Sequence, residues 1–119
     1  VPVNLEPFIG VPYTGVKFCR QFAADVLAAH GIPMPLVDRP RSAGGWVKVD
    51  RPEPLDVVVF ATSRAPDHVG VCIGRGRFLH CEEGSKSCIE YLSSPLWANR
   101  IEGYYRYEGE NGGNPAAGA

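Results

Sequence analysis

Three residues in this chain could together carry out nucleophilic chemistry: Cys19, His68 and His80. A thiolate nucleophile needs a base to take and return a proton. Imidazole suits that task near neutral pH. The base in turn needs a third group that fixes its tautomer and orientation. Cys19 falls in the first turn of a predicted helix or just inside it. There the free N–H groups and the positive end of the helix dipole favour thiolate, which predicts a lowered thiol pKa. The three residues form one set if the helix packs across the sheet face that carries both histidines. Each also has an ordinary reading, since free cysteines and half-buried histidines are common in cores. A zinc site built from Cys19, His68, His80 and Cys72 is chemically allowed, but the spacing matches no zinc module.

The histidines lie on the two arms of a predicted β-hairpin. Val69, Val71 and Ile73 alternate with His68, Gly70 and Cys72, the period of a strand with two distinct faces. Gly74-Arg75-Gly76 supplies a tight turn. Phe78 and His80 alternate with Leu79 and Cys81 on the return arm. With a three-residue loop, Gly70 stands opposite His80, and His68 and His80 are diagonal neighbours roughly 7–8 Å apart at the backbone. With a two-residue loop they fall on opposite faces, because a slip of one residue flips every side chain. Gly70 leaves room between them.

The predicted helix runs from about Lys17 to His30, with Phe18, Phe22, Val26 and Ala29 at helical spacing and Leu27 widening the stripe. Gly31 is a plausible C′ residue, and Pro33 and Pro35 stop continuation. His30 reads as a cation set against the C-terminal dipole. Val1 to Gly15 reads as an irregular lead-in, and residues 32 to 54 as a long connection with a short helix or strand at Trp46–Val49. Asp56–Phe60 is an apolar, β-branched run that predicts a central strand buried on both faces. Leu96–Arg100 suits a helical turn and Ile101–Tyr107 a last strand. The order predicts an α+β fold: an N-terminal helix carrying the cysteine, packed on an antiparallel sheet of about five strands. Residues 1–107 form one expected domain, and 108–119, rich in Gly, Asn, Ala and Pro, an expected disordered tail.

A length of 119 residues suits one domain. A net charge of −1 gives no basic footprint for nucleic acid or an anionic membrane, and no apolar run approaches a membrane span. No signal-peptide pattern opens the chain, although its first residue is Val rather than Met. The four cysteines include no CxxC pair. If Gly84-Ser85 is a two-residue turn, Cys81 stands opposite Cys88, close enough to bridge on oxidation. Cys72, on the histidine face, is then an expected reduced core residue near the helix.

Several segments, in order, resemble the NlpC/p60 family of papain-like cysteine peptidases. Gly10-Val11-Pro12-Tyr13 is similar to the segment ahead of the nucleophile, and Phe18-Cys19-Arg20-Gln21-Phe22 occupies the nucleophile motif. Pro54-Leu55-Asp56 with its apolar run is similar to the family's Pro-Gly-Asp. Asp67-His68-Val69-Gly70-Val71 matches the strand of the base, and Phe78-Leu79-His80 the strand of the third polar residue. The family commonly has Asp before the cysteine and Ser-Gly after it; here these are Phe18 and Arg20-Gln21. The tryptophan followed by an arginine-aromatic strand, Trp97 to Arg106, resembles the branch found in phage tails.

The resemblance implies acyl transfer on peptidoglycan stem peptides, at a γ-D-glutamyl bond to diaminopimelate or lysine. Cys19 is then the nucleophile, His68 the base and His80 its orienting partner. The Cys19 N–H and Tyr13 would hold the oxyanion. Arg20, Arg64 or Arg75 could meet a stem carboxylate, though each also reads as a solvated surface arginine. No cofactor is implied. The implied partners are the stem peptide and other phage tail proteins, with no nucleic acid and no membrane. The implied setting is synthesis in the bacterial cytoplasm and action in the virion tail or at the cell wall. A structural tail docking module, or a thiol amidase or acyltransferase on the same scaffold, are the competing readings.

Overall fold

Helix α1 (Phe18–Ala28) buries Phe22, Ala23, Val26 and Leu27 along one stripe, and Cys19 is buried in its first turn. In this computed structural model, which describes residues 4–34, 44–61 and 66–109, the helix ends as its sequence predicts. Gly31 takes φ +80°, and Ile32 N–H bonds the Leu27 carbonyl at 2.9 Å while Gly31 N–H bonds Ala28. That pair of bonds caps orphan carbonyls of the last turn. His30 meets the last turn of the helix, as expected, and also bridges to the lead-in. Its Nδ1 donates to the Val26 carbonyl at 2.7 Å, and its Nε2 accepts from Asn4 N–H at 3.2 Å.

One antiparallel sheet contains β1 (Trp46–Val49), β2 (Val57–Ala61), β3 (Pro66–Gly74), β4 (Arg77–His80), β5 (Cys88–Tyr91) and β6 (Ile101–Tyr107). Their spatial order is β1-β6-β2-β3-β4-β5, so the expected sheet gains a sixth, edge strand from the Trp46 segment. The α+β expectation of one helix on an antiparallel sheet is met. β2 is buried on both faces, as its uninterrupted apolar run requires. Val57 and Val59 join Val69, Val71, Leu79 and Cys81 under the helix. Val58 and Phe60 join Cys72, Phe78, Leu92 and Trp97 in a second core on the other face.

This division corrects one expectation. The helix packs on the Val69/Val71 face, so His68, Gly70 and Cys72 point to the face away from it. Apolar content decides the matter. The valine face can bury a helix stripe, whereas the histidine face is closed by Trp97 from the chain beyond β5. Cys72 is a buried free thiol as expected, but it lies in the core away from the helix.

The hairpin turn has two residues, Arg75-Gly76, both with positive φ, between the paired Gly74 and Arg77. By itself this would separate the histidines. A bulge between Cys72 and Gly74 adds one residue to β3 and restores Cys72↔Phe78 and Val71↔Leu79. His68 and His80 therefore share a face. A Cβ on Gly70 would meet Phe78 Cδ2 at 2.8 Å and His80 Cβ at 3.3 Å, so the gap between the arms needs glycine.

The next turn also differs. Glu82 carbonyl accepts from Ser85 N–H, which makes Glu83 and Gly84 the central residues rather than Gly84 and Ser85. The register is His80↔Cys88, one residue from the expected Cys81↔Cys88. Cys88 consequently shares the face of His80, whereas Cys81 packs under the helix with its Sγ 3.4 Å from the Val11 carbonyl. The pairing that would let Cys81 and Cys88 bridge on oxidation loses its geometric basis, and all four cysteines are free.

The lead-in is tied down by Ser87. Its hydroxyl accepts from Val11 N–H at 2.7 Å, and Tyr13 N–H bonds the Ser85 carbonyl at 3.1 Å. Leu55 stands where the family motif has glycine, and it retains a positive φ of 76°. The expected tail from 110 onward, Arg64, and residues 35–43 of the long connection lie outside the described residues.

Candidate active site

Cys19 enters the site from a strained start. Lys17, ahead of the helix, has φ 55°, and no side chain of its own caps the first turn. Instead, the Tyr13 hydroxyl accepts from Phe18 N–H at 3.1 Å, and its ring meets Phe18 edge-on at 5.6 Å. Accepting that bond leaves the Tyr13 hydroxyl proton able to donate toward the neighbouring thiol region. The thiol of Cys19 is met by the N–H groups of Val69, Arg20 and Cys19 itself, and by the positive charge of Arg20. Yet burial outweighs them, and the thiol pKa is raised rather than lowered as the helix position predicts. A thiolate here therefore needs a partner cation.

Val69, the residue whose N–H faces the thiol, directly follows His68. β4 ends at His80, so this stretch of β3 is left for the helix end to approach. Cys19 thus approaches β3 at the open end of the His68–Val69 segment.

The histidines themselves are directly bonded. His68 Nε2 lies 2.7 Å from His80 Nδ1, and His80 Nε2 lies 2.6 Å from Glu90 Oε2. The chain of roles follows from the acceptor at its end. A carboxylate only accepts, so His80 Nε2–H donates to Glu90 and His80 Nδ1 accepts from His68 Nε2–H. That leaves the lone pair of His68 on Nδ1, the nitrogen of a base. Burial lowers the His80 pKa, against the raising effect of Glu90 and Glu82, which keeps the ring neutral and suits it to orient rather than carry protons. Trp97 stacks on His68 at 5.2 Å and 25°, and meets His80 edge-on at 5.0 Å. Both rings are thereby held by packing as well as by bonds.

Sequence reasoning missed Glu90 and Trp97 as members of this site. Strand alternation would have put Glu90 beside His80, but only in the correct register; the assumed turn placed it on the other face. Trp97 had no local signal beyond its place in the C-terminal resemblance. Cys72 is no competitor for the nucleophile's role, because burial and then Asp56 push its thiol up to about 12.

A model of the NlpC/P60 family matches residues 13–106. That span includes every residue of the site just described. Solved structures agree. One NlpC/P60 family protein from Bacillus cereus superimposes with a TM-score of 0.73 at 26% identity, over 87% of this chain and 38% of that one. A lipoprotein-like member from Staphylococcus aureus gives 0.69 at 20%, over 88% and 39%. The NlpC/p60 domain of the peptidoglycan hydrolase SagA gives 0.64 at 21%, over 85% and 91%. The chain belongs to the NlpC/P60 family. It spans about two fifths of the length of the first two proteins, so their whole-protein properties do not pass to it.

Proposed function

We propose that this protein is a cysteine peptidase that cleaves stem peptides of peptidoglycan. The reading is carried by the bonded series His68–His80–Glu90 beside the buried Cys19, a set of groups that a purely structural sheet has no need to align. Similarity to the domain of a peptidoglycan hydrolase supports the substrate class. Cys19 attacks the carbonyl carbon, its proton passes to His68 Nδ1, and the same proton then protonates the leaving amine. Water hydrolyses the thioester with His68 as base. The N–H of Cys19 and the Tyr13 hydroxyl hold the oxyanion, at about 3 kcal/mol per donor. Burial raises the pKa of the thiol, so in this reading the thiolate forms as an ion pair with the protonated His68. Arg20, whose charge acts on the thiol, is the side chain we assign to a substrate carboxylate.

The bond cleaved, γ-D-glutamyl to diaminopimelate or lysine, and a setting in a phage tail belong to the same proposal. The tail setting rests on Trp97 to Arg106 and on the unusual flank of Cys19. Purified muropeptides incubated with wild type and Cys19→Ala, and read by mass spectrometry, test both activity and bond. We expect a free amino terminus at the cleaved bond with wild type alone. Equal products from both proteins, or none from wild type, would overturn the proposal.

A further inference from the structure

We propose that His80, Cys88 and Glu90 form a site for a thiophilic divalent ion such as Zn2+, and that filling it switches off the base His68. His80 Nε2, Cys88 Sγ and Glu90 Oε2 all lie within 4.8 Å of one another. The thiol is 3.8 Å from His80 Nε2 and 3.9 Å from Glu90 Oε2. Tetrahedral zinc with one sulfur, one nitrogen and one oxygen ligand sets such atoms roughly 3.3–3.7 Å apart. Only the 2.6 Å His80–Glu90 contact must open, and Glu90, partly exposed on the edge strand β5, can move. The donor set of nitrogen, sulfur and carboxylate suits Zn2+ or Cd2+ and disfavours Ca2+ or Mg2+, which want oxygen. Access is open too: Cys88 is exposed while His80, at 1% exposure, forms the inner end. Glu82 adds negative charge near both.

The coupling to His68 follows from proton positions. The ion takes the lone pair of His80 Nε2, so the His80 proton must sit on Nδ1 and donate to His68 Nε2. His68 Nε2 then accepts, which puts the His68 proton on Nδ1. This is the reverse of the arrangement that leaves Nδ1 basic. The protons balance. His80 Nε2–H goes to solvent, the His68 Nε2 proton crosses to His80 Nδ1, and His68 Nδ1 takes one from solvent. The net release is the single Cys88 thiol proton. Occupation thus disables the base without touching Cys19.

The switch rests on the peptidase reading; the site does not. The test is a Cd2+ titration of the full chain carrying Cys19→Ala, followed by thiolate-to-cadmium charge-transfer absorbance. We expect one ion bound, with the signal lost when Cys88→Ala or Cys88→Ser is added and binding at least tenfold weaker with Glu90→Gln. A signal that survives loss of Cys88 would overturn the site. A parallel assay with the Cys19-containing protein follows muropeptide cleavage. Zn2+ should inhibit wild type at concentrations that leave Cys88→Ala active. Equal inhibition of both would overturn the switch, whereas cadmium binding in a chain that cleaves nothing would uphold the site and count against the peptidase reading alone.

Discussion

Two polar clusters tie neighbouring strands of this sheet together, and they differ in kind. At one, buried Asp56 at the start of β2 receives Arg106 of β6 through Nε at 3.0 Å and Nη2 at 2.8 Å, and accepts from Glu53 N–H at 2.7 Å. Arg106 also reaches the Arg51 carbonyl at 3.1 Å, and its pKa is raised, chiefly by the bond to Asp56. This cluster is closed, with opposite charges paired and lone pairs filled. At the other, His68, His80 and Glu90 form a directed series that ends on an edge strand and begins beside a nucleophile. Its members have complementary roles rather than complementary charges. The first cluster holds the fold, and the second is positioned by it.

The largest contrast should come from removing one member of each. His68→Ala should lower muropeptide cleavage by about 1,000-fold or more in the fraction that remains folded. Asp56→Ala should do the opposite. It takes from Arg106 its buried partner, leaving only the exposed Glu53 and the Arg51 carbonyl, and costs about 3 kcal/mol of stability, while the folded fraction keeps its kcat. Denaturant titration and initial rates on the same preparations check both. If Asp56→Ala lowered kcat as strongly as His68→Ala, the separation of the two clusters would fail.

A smaller effect tests direction within the second cluster. Glu90→Gln keeps the shape but replaces a group that only accepts with an amide that can also donate, so the tautomers of both rings are no longer fixed and kcat should fall about tenfold with KM unchanged. His80→Asn should retain more activity than His80→Ala, because an amide oxygen can accept the His68 N–H. Equal losses in the two His80 variants would remove the orienting role.

How far these clusters could be read in advance depends on sequence distance and register. The helix, its Gly31 stop, the doubly buried β2 and the histidine-bearing hairpin follow from local periodicity and turn residues. Gly70 could be named because a gap between two arms is a local demand. The face that received the helix could not, since His68 and Val69 lie on alternate sides and only the whole sheet decides which side a stripe of apolar residues covers. Glu90 and Cys88 were hidden by a one-residue error in the Glu82–Ser85 turn, which exchanges every side chain of β5 between faces. The bulge at Cys72–Gly74 worked the other way, restoring a register that the two-residue turn alone would have lost. The raised thiol pKa of Cys19 was hidden because helix position is local, whereas burial depends on the packed whole.

The smallest expected effect is in the pH dependence of stability, and it separates the clusters again. His80 has a pKa lowered from its usual 6.5, with burial as the main cause. Below pH about 6.5 the unfolded chain therefore takes up a proton that the folded His80 resists. The stability tied to its neutral form is complete above that pH and is lost as the pH falls through the unfolded value. The slope from this one group cannot exceed about 1.4 kcal/mol per pH unit. Urea titrations between pH 7.5 and pH 5 (about one unit above 6.5 to somewhat below it) should show a loss that His80→Asn makes shallower. Glu90 opposes the shift by accepting from and attracting the charged ring, so Glu90→Gln should make the loss steeper than wild type. A loss that is unchanged in His80→Asn, or one that becomes shallower in Glu90→Gln, would show that the acid sensitivity belongs elsewhere in the fold and that Glu90 does not act on the His80 charge.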